Sequence, residues 1–173
     1  MRETFRRKGF DGASMADLAA STGLAKAGLY HRFPGGKMEM AEAVLSDVRV
    51  WMVEQVLDPL DAPGDPQAKL IAMTTALREL YEEGTAPCLI GMFSVSEAFE
   101  QLQARLCASL ESLQRGIATT LLDHGLTRRE ATRRAEDAVI RIQGALIVSR
   151  VQGDNGPFVR TMKSLPETLL SVH

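Results

Sequence analysis

The side chains with chemistry to offer another molecule are crowded between Ser14 and Lys37. Lys26, Ala27, Gly28 and His31 fall on the start or outer face of one short helical pattern. From there, polar side chains can reach base edges, and a glycine lets the backbone itself come close. Ser14 stands at the start of the preceding helix, where a hydroxyl and free backbone amides suit a phosphate. Elsewhere the reactive residue types are scattered. His31, His124 and His173 make no metal-ligand spacing on one helix face, and neither Cys88 nor Cys107 has a neighbouring His to activate it. The two cysteines read as small hydrophobes, and His124, just before Gly125, as a helix-end cation. No catalytic residue, metal site or cofactor is expected, and the chain does not read as an enzyme.

Two short helices must position the Ser14–Lys37 residues. Ser14 can cap the first, with Asp17 three positions on in its first turn. Met15, Leu18 and Ala19 share an apolar face at helical spacing. Gly23 supplies the freedom that a sharp corner needs, and Leu24 is expected to plug the angle. The second helix buries Leu29 and Phe33, and Pro34-Gly35-Gly36 ends it. The pattern is a helix-turn-helix whose second helix reads the major groove.

The same residues resemble the DNA-binding segment of the TetR/AcrR family of bacterial repressors. The resemblance rests on Leu24, Tyr30 and Phe33 in the recognition helix and on Lys37 at the start of the next. It implies that Tyr30 and Lys37 contact phosphates. Pro34-Gly35-Gly36-Lys37, and further on Pro87-Cys88-Leu89-Ile90-Gly91, are similar to the LmrA/YxaF-type subgroup. Ala25 departs from the family's frequent Ser, and Ala27-Gly28 from its usual Gly-Ser or Gly-Thr. Met1 to Gly9 reads as the end of a helix with no N-cap before it, so the first helix is expected to be truncated relative to the family.

Composition agrees with an α-helical chain that meets DNA at one end. Of 173 residues, 45% are hydrophobic and only 5% aromatic, with no long alternating run, so the fold class is all-α. The net charge of −2 argues against a nucleic-acid binder until its distribution is read. Residues 1–37 carry seven Lys/Arg against three Asp/Glu, leaving 13 against 19 for the remainder. A basic head on an acidic body suits a protein that presents one end to DNA. The chain has no signal peptide and no apolar run of about 18 residues, so it is expected to be cytoplasmic, with no membrane partner.

Residues 1–47 are expected to form the helix-turn-helix DNA-binding domain and 48–173 a helical ligand-binding and dimerisation domain. A helix from about 37 to 56 would join them, ending in a Pro- and Asp-rich linker. Helices are then expected over 66–83, from about 101 to 124, over 127–151 with Thr127 and Glu130 as a capping box, and from 158 to about 170. The second half of the 127–151 helix is apolar almost all round, so it must be covered on every side. That predicts a two-fold homodimer through the last two helices, with Ile140, Ile147, Val148, Val151, Phe158, Met162, Leu165 and Leu169 in the interface. Met73, Leu77, Met92, Phe93, Phe99 and Leu113 are candidate walls of a ligand pocket, with Arg141 or Gln143 to orient its occupant. The resulting expectation is a homodimeric repressor of a palindromic duplex, released by a small apolar or aromatic effector. The rival reading is a helical small-molecule carrier that no longer binds DNA.

Overall fold

The computed structural model describes residues 1–171, and all regular structure among them is helical. His173, grouped above with the other histidines, lies outside them. The chain divides into two compact units: Met1–Val50 with Pro87–Leu106, and Trp51–Ala86 with the chain from Cys107 onward.

The first unit is the head. It opens with α1 (Arg2–Gly12), in which Gly9 leaves helical geometry at φ 68° and splits off a last short turn. Phe5 and Phe10 project from either side of that break into the core. Next come α2 (Met15–Thr22), α3 (Lys26–Arg32) and the start of α4 (Gly36–Met52). Ser14 caps α2: its hydroxyl accepts the Asp17 N–H at 3.1 Å, and its own N–H donates to the Asp17 carboxylate at 3.0 Å. Gly23 ends α2 in the left-handed region, φ 69°, and so turns the chain into α3. Leu29 is fully buried beneath α3, as its position predicts. Leu24 is exposed instead of plugging the corner, because Leu18, Ala19 and Leu29 already fill the space under the turn.

The head also takes in α7 (Leu89–Phe93) and the first turns of α8 (Phe99–Asp123). Leu89 and Phe93 join Phe5, Phe10, Met40 and Val44 in one apolar cluster, with Leu102 and Leu106 of α8 behind them. The Glu97 N–H donates to the Asp11 carboxylate at 3.3 Å, a second tie between α1 and this segment. The chain thus returns to the head between Pro87 and Leu106.

In the second unit the α4 ladder gives way to a π-helical turn over Val53–Leu57 and then α5 (Asp58–Asp61). The expected straight helix to residue 56 is therefore interrupted after Met52. Then come α6 (Pro66–Leu80), α9 (Arg128–Gln152) and α10 (Gly156–Leu170). Asp65 caps α6, while Thr127 and Glu130 form the expected capping box on α9. α10 packs between α6 and α9 and buries Phe158, Met162, Leu165 and Leu169. Ser149 of α9 accepts the Phe158 N–H at 3.1 Å, and Arg134 donates to the carbonyls of Leu169 and Ser171 at 2.7 and 2.6 Å. Both ends of α10 are thereby fastened to α9. No helix among the described residues is long and apolar enough to cross a membrane.

Candidate nucleic-acid interface

α3 presents its chemistry outward. Lys26, Ala27, Tyr30, His31 and Arg32 are exposed, while Leu29 on the opposite face anchors the helix to the core. Tyr30 is 51% exposed, so it is a surface group rather than a core ring. Ala25 stands at the N-cap without a side-chain hydrogen bond, so the first-turn amides of α3 have no side-chain acceptor there. A Cβ on Gly28 would meet Leu24 at 3.9 Å, an ordinary contact. Packing around Gly28 within the chain therefore leaves room for a Cβ.

Ser14 is engaged with its own helix. Its hydroxyl donates to Asp17 Oδ2 at 2.6 Å as well as accepting the Asp17 N–H, and its own N–H is taken by the same carboxylate. Both polar groups of Ser14 are thus spent inside the chain. The other carboxylate oxygen of Asp17 accepts Lys8 Nζ at 2.5 Å, which pins α1 to α2. Lys8 and Ser14 together hold the Asp17 carboxyl well below the usual carboxylate range.

Lys37 lies half-buried at the start of α4, on the turn that follows the recognition helix. The turn is braced by the Gly35 N–H, which donates to Glu39 at 2.7 Å. Lys37 Nζ stands 4.4 Å from the centroid of the Phe10 ring, a cation–π contact that no spacing in the sequence signals. Arg32 is a further exposed cation on α3. Its guanidinium lies 6.0 Å from the Phe33 ring centroid.

The eight residues assigned to a ligand pocket are divided between the two units. Phe93 is fully buried in the head, edge-on to Phe5 and Phe10, and Phe99 packs against the same cluster. Met92 also belongs to the head, its Cε 3.4 Å from where a Cβ on Gly9 would stand. Met73, Leu77 and Leu113 are buried in the second unit. Gln143 is half-exposed on α9, and Arg141 faces an open groove of about 460 Å³ between α9 and α10 with Arg133, Arg134 and Ile140. The interface residues divide as well. Ile140, Ile147, Val148 and Val151 are 43–81% exposed on one stripe of α9. Phe158, Met162, Leu165 and Leu169 are core residues of the chain itself, with no surface left for a partner.

Comparison with known proteins places this arrangement. The model of bacterial regulatory proteins of the tetR family matches residues 2–44, and that of the LmrA/YxaF-like transcriptional regulator C-terminal domain matches residues 66–164. Over 110 residues the chain is 28% identical to the HTH-type transcriptional regulator LmrA of Bacillus subtilis, covering 64% of this chain but only 52% of LmrA. It is 23% identical to the uncharacterized HTH-type transcriptional regulator YxaF of the same organism over 167 residues, 94% of this chain and 87% of YxaF. Among solved structures, a TetR transcriptional regulator from Legionella pneumophila superposes with a TM-score of 0.83 at 20% identity, over 96% of this chain and 91% of that one. The reduced form of E. coli NemR follows at 0.73 and 15%, over 93% and 88%. At those identities the solved structures speak for the fold, and the matched family models for the lineage. A capped helix-turn-helix with an outward-facing α3, followed by an LmrA/YxaF-like helical domain, makes this chain a member of the TetR family of bacterial transcriptional regulators.

Proposed function

We propose that this regulator is a homodimeric repressor of a palindromic operator, released by a small apolar or aromatic effector. The observation that carries the reading is the α9 stripe. Ile140, Ile147, Val148 and Val151 lie at i, i+7, i+8 and i+11, one face of a helix whose opposite face is already in the core. Four large aliphatic side chains in a row are costly to leave in water, and a second copy is the occupant whose matching stripe covers them. A two-fold dimer also meets the need of a seven-residue recognition helix, which reads few base pairs alone. Two of them, about 34–36 Å apart or a multiple of it, read two half-sites on one face of the duplex.

On each half-site Lys26 and His31 would take base edges, while Tyr30 and Lys37 would take phosphates. The effector would lodge in the second unit, against Met73, Leu77 and Leu113, where a methionine can adapt to a flat ligand. Release requires that it favour a dimer geometry whose recognition helices miss the groove spacing.

The direct test is salt-dependent binding to an operator recovered by selection with the purified protein. Lys37→Ala should weaken binding to every sequence alike and lower the salt slope by about one unit. An unchanged slope in the folded variant removes Lys37 from the phosphate contacts. Effector binding is tested by screening flat aromatic compounds for thermal stabilisation and then for operator release. If Met73→Ala alters neither response, the effector is seated elsewhere.

A further inference from the structure

Phe10 has a buried side and a working side. Phe5 stacks on it with centroids 6.2 Å apart and planes within 6°, and Phe93 meets it nearly perpendicular at 6.4 Å. Phe93 in turn sits edge-on to Phe5 at 5.6 Å, so the three rings brace one another. Only 5% of Phe10 remains exposed, and Lys37 Nζ stands 4.4 Å from the ring centroid. The ring cannot tilt without disturbing two buried neighbours, so the position it offers the ammonium is fixed.

We infer that Phe10 is a positioning residue for the Lys37 phosphate contact, its ring holding the ammonium in place before DNA arrives. The inference rests on the reading of Lys37 as a phosphate ligand. A free lysine explores many rotamers and loses that freedom when it pairs with a phosphate. Held against the negative face of a ring, it has already lost much of it. The ring takes one side of the ammonium and accepts none of its N–H groups in a directed bond, so donors remain for a phosphate oxygen. Phe93 gives the arrangement its reach. It lies within the stretch matched by the LmrA/YxaF-like C-terminal domain, yet it packs in the head against Phe10. A residue of the effector-domain sequence therefore sets a ring that sets a DNA contact.

The test separates the electrostatics of the ring from its bulk. Replacing Phe10 with 3,4,5-trifluorophenylalanine keeps the shape of the ring and weakens its negative face. Affinity for specific and nonspecific duplexes alike should fall about two- to fivefold, and not at all in the Lys37→Ala background. Phe10→Leu should lower affinity about three- to tenfold in the same Lys37-dependent manner. In both variants the salt slope should stay at its parent value, because the number of phosphate contacts is unchanged. Equal losses with and without Lys37, or no loss on fluorination, overturn the inference while leaving Lys37 itself a phosphate ligand. If Lys37→Ala leaves the salt slope untouched, the phosphate contact fails and this inference falls with it.

Discussion

Asp17 serves three donors at once. Its carboxylate takes the Ser14 N–H and hydroxyl on one oxygen and Lys8 on the other, while the Asp17 N–H returns to Ser14. All of these favour the ionised form, so the folded-state pKa lies below the ordinary value of 3.8. A carboxyl depressed on folding contributes stability that is fully present above its unfolded value and is lost as pH falls through the folded one. Acid titration of the helix signal should therefore show the head loosening below pH of about 4. Asp17→Asn, which keeps the shape but not the charge, should flatten that dependence. A Ser14→Ala variant should lose about 1 kcal/mol, the usual cost of an N-cap hydroxyl, in a denaturant titration at neutral pH. If both variants unfold like the parent, the cap contributes nothing to stability.

Between elements, the tightest constraint is the turn that ends α6. Tyr81 accepts N–H groups from Gly84 at 2.8 Å and Ala86 at 3.0 Å, which bends the chain sharply back. Glu82, Glu83 and Gly84 all adopt positive φ, at 49°, 57° and 93°. Arg78 pairs with Glu83 at 2.8 Å and helps hold one of the two strained non-glycine residues. Gly84 is required twice over. Its φ suits glycine, and a Cβ there would stand 2.7 Å from the Cβ of Phe158, a fully buried residue of α10. Tyr81 meets the same ring edge-on at 5.9 Å, so Phe158 has nowhere to retreat. Gly84→Ala should destabilise the protein by about 3 kcal/mol, read from its urea midpoint, through strain and overpacking together. A midpoint within error of the parent would mean that α10 gives way more easily than its burial indicates.

For the whole molecule the decisive contrast lies between two helices that look alike in sequence. On α10 the apolar stripe is the chain's own core, whereas on α9 an apolar stripe remains in solvent after the core is complete. Charged substitutions should therefore have opposite effects. Val148→Glu should leave a folded protein, with unchanged helix content, that sediments as a monomer at micromolar concentration. Leu165→Glu buries a charge inside the chain and should unfold it, since an unpaired interior carboxylate costs several kcal/mol. A Val148→Glu variant that still sediments as a dimer would move the interface off α9.

Local rules made much of this protein legible from its residues alone. The capping pairs Ser14–Asp17 and Thr127–Glu130 start helices where their spacing says they must, because the bonds that make a cap span only three residues. Gly23 and Gly153 end helices in the left-handed region for an equally local reason. Helical periodicity put Leu29 inside and Tyr30 outside, and with the residues of the turn it marked the helix-turn-helix and its family. What periodicity cannot state is which surface a buried face meets. It does not tell that Phe93 packs in the core of the head while Met73 and Leu77 are buried in the second unit. It treated Phe158, Met162, Leu165 and Leu169 as equals of Ile140 and Val148, although one set is covered by the chain and the other is not. Lys8 on Asp17, and Lys37 over Phe10, join residues from different helices. Such pairings depend on how the helices are set in three dimensions, so the tertiary structure alone decided them.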